Sequence, residues 1–406
     1  MRRLSAAVAA VIVAAFPGVA WPDAPAAAAK TVTLGASLQL TGPDANLARY
    51  FRDGYQAAID RINGQGGITI GGENYRFALK LLDNQSNINL GVQQYTQLIT
   101  RDKVDFLLGP YSSNHTLDES SIAEKYRVPM VQGGGAARQI FDRGYRYIFG
   151  TAPPAENYFG STVEMMTKLE PRVHTLALLT ADDAFDVAVR IGTKALAKQS
   201  GVNVVVDQVY PENDPNFTSL LALVKSKSPD AILLGGHETE ALNFVREAKA
   251  LNVNPGDMMA LTVGVPSADF RAALGKDAES MFGMTPWVAS PVARDRWFGD
   301  AQQFAQLFAR RFGYEPDYHV ASAVADVETF AYALEAAGSL DREQVRDAIA
   351  KSDFECIYAP IRYQANGQID IPQIVIQVQD GKIVPIYTDH FLNKPRYPAP
   401  GWGKRN

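Results

Sequence analysis

Four short segments carry the residues best able to do chemistry. They are Gly109-Pro110-Tyr111-Ser112-Ser113-Asn114-His115-Thr116, Gln132-Gly133-Gly134-Gly135-Ala136-Ala137-Arg138, Ala181-Asp182-Asp183-Ala184-Phe185 and Gly235-Gly236-His237-Glu238. Each follows a short apolar run. Ser112 and Ser113 offer hydroxyls, and Gly134, Gly135 and Ala136 offer backbone N–H groups. Such donors at helix starts suit a small anion, because the helix dipole and the unsatisfied donors both favour negative charge. N-capping by the serines and turn geometry at the glycines account for the same residues without a ligand. A carboxylate fits better than a phosphate, since the glycines lack the G-x-x-x-x-G-K pattern. His237 reads either as a capping residue or as one facing a ligand, and Phe185 either as core or as an aromatic wall. Asp182-Asp183 reads as a solvated turn.

Covalent chemistry finds little support. G-x-S-x-G is absent, so no nucleophile elbow is indicated. Ser112 and His115 stand three residues apart on an expected loop, and nothing in the sequence orients a third group toward them. H-E-x-x-H is absent, as is a G-x-G-x-x-G after the first strand. The five histidines (His115, His174, His237, His319 and His390) show no ligand spacing, so neither a metal nor a cofactor is expected. Cys356 is the only cysteine and reads as a small buried residue.

The elements that must position these segments alternate between strand and helix. Residues 31–38 read as a strand and 45–63 as a helix with apolar spacing at Leu47, Tyr50, Phe51, Ala57, Ala58 and Ile62. A hairpin-like insertion turns at Gly71-Gly72. Strand patterns follow at 77–82, 104–108 and 129–131, with helices at 87–101 and 120–126. After Pro153-Pro154 the alternation restarts: helices at 156–169, 187–200, 217–226 and 238–251, and strands at 175–179, 202–209, 231–234 and 258–262. Helices then dominate from Trp297 to Ala350, and a β segment closes the chain. Continuous apolar strands separated by helices mean largely parallel sheets covered on both faces. Two such series predict an α/β protein of two doubly wound, Rossmann-like lobes, with ligands at the carboxyl ends of the strands.

Residues 1–29 read as a secretory signal peptide: Met1-Arg2-Arg3, an apolar run to Ala20, and small residues at Ala26–Ala29. Pro17, Pro22 and Pro25 interrupt that run before it could span a membrane. No Cys follows it, so a lipoprotein is not expected. The net charge of −5 without a basic cluster argues against nucleic acid as a partner. An exported chain with one cysteine has no internal disulfide and must rely on large cores. Residues 391–406, rich in Pro and Gly, read as an extended, loosely held tail.

An ordered series of short motifs resembles the leucine/isoleucine/valine-binding family of periplasmic solute-binding proteins. Leu34-Gly35-Ala36-Ser37-Leu38-Gln39-Leu40-Thr41-Gly42-Pro43 is similar to its opening strand and turn, and Ile62-Asn63-Gly64-Gln65-Gly66-Gly67-Ile68 to its I-N-x-x-G-G-I. Leu82-Asp83-Asn84-Gln85-Ser86, Gly109-Pro110-Tyr111-Ser112-Ser113 and Pro129-Met130-Val131 follow in order. Asn213-Asp214-Pro215-Asn216-Phe217-Thr218 and Ala359-Pro360-Ile361-Arg362-Tyr363 with Asn366-Gly367 complete the series.

The resemblance implies the type I periplasmic-binding-protein architecture, its lobes joined by a three-crossing hinge at about 152–154, 282–285 and 357–360. The implied N-terminal lobe is 30–152 with 285–357, and the C-terminal lobe is 153–284 with 358–390. It further implies a receptor in the periplasm, serving the membrane permeases of an ABC importer, monomeric and not an enzyme. Matching the family's loops puts a carboxylate-binding serine at Ser113, backbone donors at Gly134 and Ala136, side-chain readers at Phe185 and His237, and an apolar contact at Leu47. With the flanking Ser112, Gly135 and Val263, these form the candidate ligand-binding set. Acids that meet a ligand's ammonium in the family are replaced by Val263 and Ala155, with Glu156 nearby. The expected ligand is therefore a small carboxylate, aromatic or branched aliphatic, without an α-ammonium. A branched-chain amino acid or amide receptor is the alternative, and a periplasmic sensor or hydrolase the alternatives of other classes. Removing the Ser113 hydroxyl is expected to weaken binding and leave stability almost unchanged.

Overall fold

The computed structural model describes residues 29–212, 216–254, 257–292 and 294–405. The expected leader lies outside these residues except for Ala29, as do Asn213, Asp214 and Pro215 of the motif series. Two sheets organise the rest. The first is built from β1 (Lys30–Leu38), β2 (Ile68–Ile70), β3 (Glu73–Asp83), β4 (Phe106–Leu108), β5 (Met130–Gln132) and β6 (Ile148–Gly150), in the order β2-β3-β1-β4-β5-β6. Only β2 runs antiparallel to its neighbour; Leu34 of β1 stands between Leu79 and Phe106. β4, β5 and β6 are buried throughout, as uninterrupted apolar strands require.

Helices α1 (Ala45–Gly64), α2 (Ile88–Thr100) and α3 (Ser113–Tyr126) connect those strands. The buried stripe of α1 runs Leu47, Tyr50, Phe51, Gly54, Tyr55, Ala58 and Ile62, the spacing of one helix face. α3 begins at Ser113, seven residues before its expected start. The signal missed was a cap: Ser112, at φ 68°, accepts a hydrogen bond from His115 N–H at 3.5 Å. His115 therefore lies on a helix, not a loop, and its imidazole Nδ1 lies 2.8 Å from Glu119 Oε1.

The second sheet repeats the plan. α4 (Gly160–Met166) precedes β7 (Thr175–Ala181), α5 (Ala184–Ser200), β8 (Asn203–Tyr210), α6 (Thr218–Lys227), β9 (Ala231–Leu234), α7 (Glu238–Ala250), β10 (Met258–Leu261), α8 (Ala268–Leu274) and β11 (Phe282–Thr285). The chain then makes two short ladders, β12 (Arg294–Asp295) with β13 (Gly299–Asp300) and β14 (Phe354–Glu355) with β15 (Pro360–Ile361). Between them lie α9 (Ala301–Phe312), α10 (Tyr318–Ala337) and α11 (Arg342–Ala350). β16 (Ile374–Gln379) and β17 (Lys382–Tyr387) finish the second sheet, whose order is β17-β16-β11-β10-β9-β7-β8.

Both sheets reverse their winding beside the first strand of the series, between β1 and β4 and between β7 and β9. Such switch points leave a crevice beyond the strand ends. Loops from the two crevices meet. Tyr50 Oη lies 3.2 Å from Ser267 Oγ, Asn46 donates to Glu238 at 2.7 Å, Asn114 accepts from Ala184 N–H at 3.0 Å, and Arg49 pairs with Asp269.

Two expectations are corrected here. The third crossing lies beyond 357–360, because Gly150 still bonds to Gly367 and Ile369, and the Tyr363 ring still packs on Phe149. The chain changes sheets between Ile369 and β16. The tail is not loosely held either. Trp402 is buried and donates from Nε1 to Val253 O at 2.9 Å, Ala399 N–H bonds to Asp257, and the Arg405 guanidinium reaches Asp277 O at 2.7 Å.

α10 is buried on almost every side and crosses α1 closely. Gly54 allows that approach, since a Cβ there would lie 2.6 Å from Ala323 Cβ and 2.7 Å from Val320 O. Gly54→Val is expected to destabilise the protein by about 1–3 kcal/mol, the usual cost of overpacking. Urea unfolding midpoints check this; an unchanged midpoint would mean that the helices separate freely.

Candidate functional site

A narrow cavity of about 20 Å³ lies where the two crevices meet, lined by Tyr111, Ser113, Gly133, Gly134, Ala136, Tyr158, Phe185, His237, Val263, Tyr318 and His319. The first sheet contributes the loops after β4 and β5. Ser113 is the first residue of α3 and is buried. Its Oγ accepts from Ala136 N–H and Ala137 N–H, each at 3.1 Å. With both donors directed at the oxygen, the serine's own O–H remains to donate elsewhere. Gly134 packs where only glycine fits, since a Cβ would lie 2.3 Å from Pro110 O. Asp326, inside α10, ties this loop down from below. It accepts from Thr151 Oγ1 at 2.7 Å, Tyr55 Oη at 3.3 Å and the Gly133 amide. Burial nonetheless pushes its carboxyl well above the usual range.

The second sheet contributes the loops after β7, β9 and β10. Phe185, in the first turn of α5, meets the Tyr158 ring edge-on at 4.8 Å. His237 precedes α7. Its Nδ1 lies 2.7 Å from Tyr111 Oη, across the lobe boundary, and its Nε2 lies 3.3 Å from Asp183 Oδ2. Burial opposes charge on this imidazole, but Asp183, Asp186 and Glu240 outweigh burial and raise it well above the ordinary value. Burial likewise works to raise Asp183, yet His237 and the Asp186 amide bring it down to about 2. Asp183 is thus a buried helix cap and ion-pair partner, not a solvated turn. At the far end Tyr318 stacks on His319, and His319 Nδ1 lies 2.9 Å from Asp317 Oδ2.

Of the candidate residues, Ser113, Gly134, Ala136, Phe185, His237 and Val263 line this cavity together. Three do not. Ser112 points its side chain at the start of α3 as a cap. Gly135 spends its N–H on Gln132 Oε1 at 2.5 Å and its carbonyl on Gln132 Nε2 at 2.9 Å. Leu47 lines a separate outer chamber, on the far side of the Tyr111–His237 bond. Ala136 contributes surface rather than a donor, because Ser113 already takes its N–H. Glu156 is not among the lining residues; its segment packs against α5, where the Gly192 position abuts Glu156 O.

Sequence reasoning missed Tyr111, Gly133, Tyr158, Tyr318 and His319 as lining residues. Tyr111 and Gly133 stood inside the quoted loops, where the serine and the neighbouring glycines drew attention. Tyr318 and His319 begin a helix some two hundred residues away and carry no local signal.

A family model described as periplasmic binding protein matches residues 31–382 of this chain. The Leu/Ile/Val-binding protein homolog 7 of Brucella suis is 24% identical over 381 residues, covering 90% of this chain and 93% of its own. Among solved structures, the branched-chain amino acid transporter substrate-binding protein LivJ from Streptococcus pneumoniae, in complex with isoleucine, is 22% identical. It covers 87% of this chain and 98% of its own with a TM-score of 0.75. A solute-binding protein of an ABC transporter from Rhodopseudomonas palustris BisB5, in complex with 3,4-dihydroxybenzoic acid, is 20% identical. It covers 90% of this chain and 99% of its own with a TM-score of 0.76.

His115, behind the Ser113 loop, provides a pH test of the burial seen here. Burial lowers its value to about 4, whereas an unfolded chain would show about 6.5. Between those values the unfolded state binds more protons, so stability falls as pH drops from about 6.5 toward 4. His115→Gln should lose that component of the slope, at most about 1.4 kcal/mol per pH unit. Urea titrations at pH 7 and pH 5 check it; identical slopes in parent and variant would show that His115 is not held neutral.

Proposed function

The chain belongs to the periplasmic binding protein family, and from that premise we propose that it is the receptor of an ABC importer for a small carboxylate without an α-ammonium. An aromatic or branched aliphatic acid is the favoured solute. One observation carries this reading: among the described residues, none that lines the cavity is an aspartate or glutamate. An ammonium sealed in that cavity would lack a compensating charge, and an unpaired buried charge is very costly. The acids just outside it are already matched, Asp183 with His237 and Asp317 with His319.

The cavity's groups divide the work. The Ser113 hydroxyl donates to the solute carboxylate. His237, carrying positive charge, favours an anion in the same space. Phe185, Tyr158 and Val263 supply aromatic and apolar walls. The solute touches both lobes only when they close, so it selects the closed form by those extra contacts. Residues that bridge the lobes, Tyr111 with His237 and Asn46 with Glu238, hold the closed form that membrane permeases receive. The receptor works as a monomer in the periplasm, after removal of the leader.

Calorimetry with benzoate, 4-methylpentanoate and leucine tests this. Binding of the acids and not of leucine is expected. Leucine binding at micromolar affinity, with both acids silent, would return the site to the amino-acid class. Turnover of an ester or amide, abolished in Ser113→Ala, would make the protein a hydrolase.

Ser113→Ala should weaken acid binding by roughly one to two decades, the loss of one charge-assisted hydrogen bond. It should also lower stability by about 1–3 kcal/mol, because the Ala136 and Ala137 amides lose their acceptor. This corrects the expectation of unchanged stability. Affinity and unfolding midpoint are measured on the same variant; unchanged affinity removes Ser113 from the site.

A further inference from the structure

Behind the cavity wall, in the second lobe, Asp183, Asp186 and His237 converge. One ligand atom from each lies within 4.8 Å of the other two. Asp183 is the cap of α5, its Oδ1 accepting from Asp186 N–H at 2.9 Å. Asp186 is fully buried, yet among the described residues no donor reaches either of its carboxylate oxygens. The group facing it is a second carboxylate. Thr180 Oγ1, also fully buried, has no partner. Thr180 and Asp186 both crowd Gly235, where a Cβ would lie 2.3 Å from Asp186 Oδ1 and 3.0 Å from Thr180 Cγ2. Two buried carboxylates thus share one imidazole, and a buried charge of this kind is retained only when compensated.

We propose that Asp183, Asp186 and His237 form a binding site for a divalent metal ion of the zinc class, held by one oxygen of each carboxylate and by His237 Nε2. The donor set supports that choice. Zinc takes imidazole and carboxylate ligands together, whereas calcium and magnesium prefer oxygen alone. Two carboxylates, a neutral imidazole and a dication sum to zero charge. The other side of the imidazole is held as well. His237 Nδ1 lies 2.7 Å from Tyr111 Oη; in the tautomer protonated at Nδ1 that N–H donates to the phenol oxygen and Nε2 is left for the ion. The way in would be the outer chamber of about 120 Å³, which His237 lines with Asp44, Glu212, Glu238 and Glu240. A cleft lined by acids raises the local concentration of cations. Loading displaces protons held by the His237 imidazole and the buried Asp186 carboxyl, so it releases acid. The bound ion would fix His237, and through it the Tyr111 wall of the solute cavity. The inference does not rest on the solute's identity.

The test uses the tag-free mature chain, stripped with chelator and titrated with zinc chloride. One zinc per chain is expected, retained through gel filtration, with heats that depend on buffer ionisation because protons are released. Asp186→Asn and His237→Gln should each weaken zinc binding by roughly tenfold or more. Exposed Glu315→Gln should leave it unchanged. Thermal unfolding without metal checks the fold of each variant, and X-ray absorption on the parent should show only oxygen and nitrogen neighbours. No retained zinc, equal uptake in both cluster variants, or equal binding of magnesium would overturn the proposal.

Discussion

The Tyr111–His237 hydrogen bond is the contact on which the closed molecule turns. It is 2.7 Å long, and it joins the loop after β4 of one sheet to the loop after β9 of the other. Those loops sit at switch points, where neighbouring connections leave a sheet toward opposite faces and nothing covers the strand ends. Each sheet alone would present its polar loop groups to water. Face to face, they enclose them. The bond also divides space: one side is the small cavity with Ser113 and Phe185, the other the acidic chamber with Asp44 and Glu212.

The two sides of that partition differ sharply in electrostatics. The cavity offers hydroxyls, rings and the His237 imidazole, which its acidic neighbours raise well above the ordinary value. The outer chamber gathers carboxylates from both lobes. Burial pushes Glu212 and Glu238 up to about 7, and neighbouring acids push the same way. His237 belongs to both spaces, so its charge and tautomer set the character of each. Asp183 sets that charge in turn, and it can do so only because capping α5 fixes its carboxylate.

The first lobe uses a buried acid differently. Asp326 is surrounded by donors rather than by a cation, and its work is mechanical. It joins α10 to the Gly133 loop, to Thr151 beside the first crossing and to Tyr55 of α1. Gly54 lets α1 lie close enough to α10 for that bond. Gln368, from the segment that leads to β16, donates to Ala136 O and Ala152 O, so the loop after β5 is braced from this side as well.

The sequence by itself determined the alternation of strand and helix, and hence two doubly wound lobes, because apolar runs and helical spacing are local properties. It also placed Ser113, Gly134, Phe185 and His237 at strand ends, since each directly follows a run that the sheet must bury. The motif series carried the family, which the family model's match over residues 31–382 shows. What it left open depended on partners distant in the chain. Ser112, Gly135 and Leu47 have the right types, but a cap, the Gln132 side chain and the Tyr111–His237 wall take them out of the cavity. Tyr318 and His319 line it only because α10 returns to the first lobe after the whole of the second sheet. The Asp183–Asp186–His237 cluster spans two loops whose closeness follows from β7 and β9 being neighbours. Spacing along a chain reports one element's faces; which faces meet, and which donors are already spent when they do, is settled only by packing.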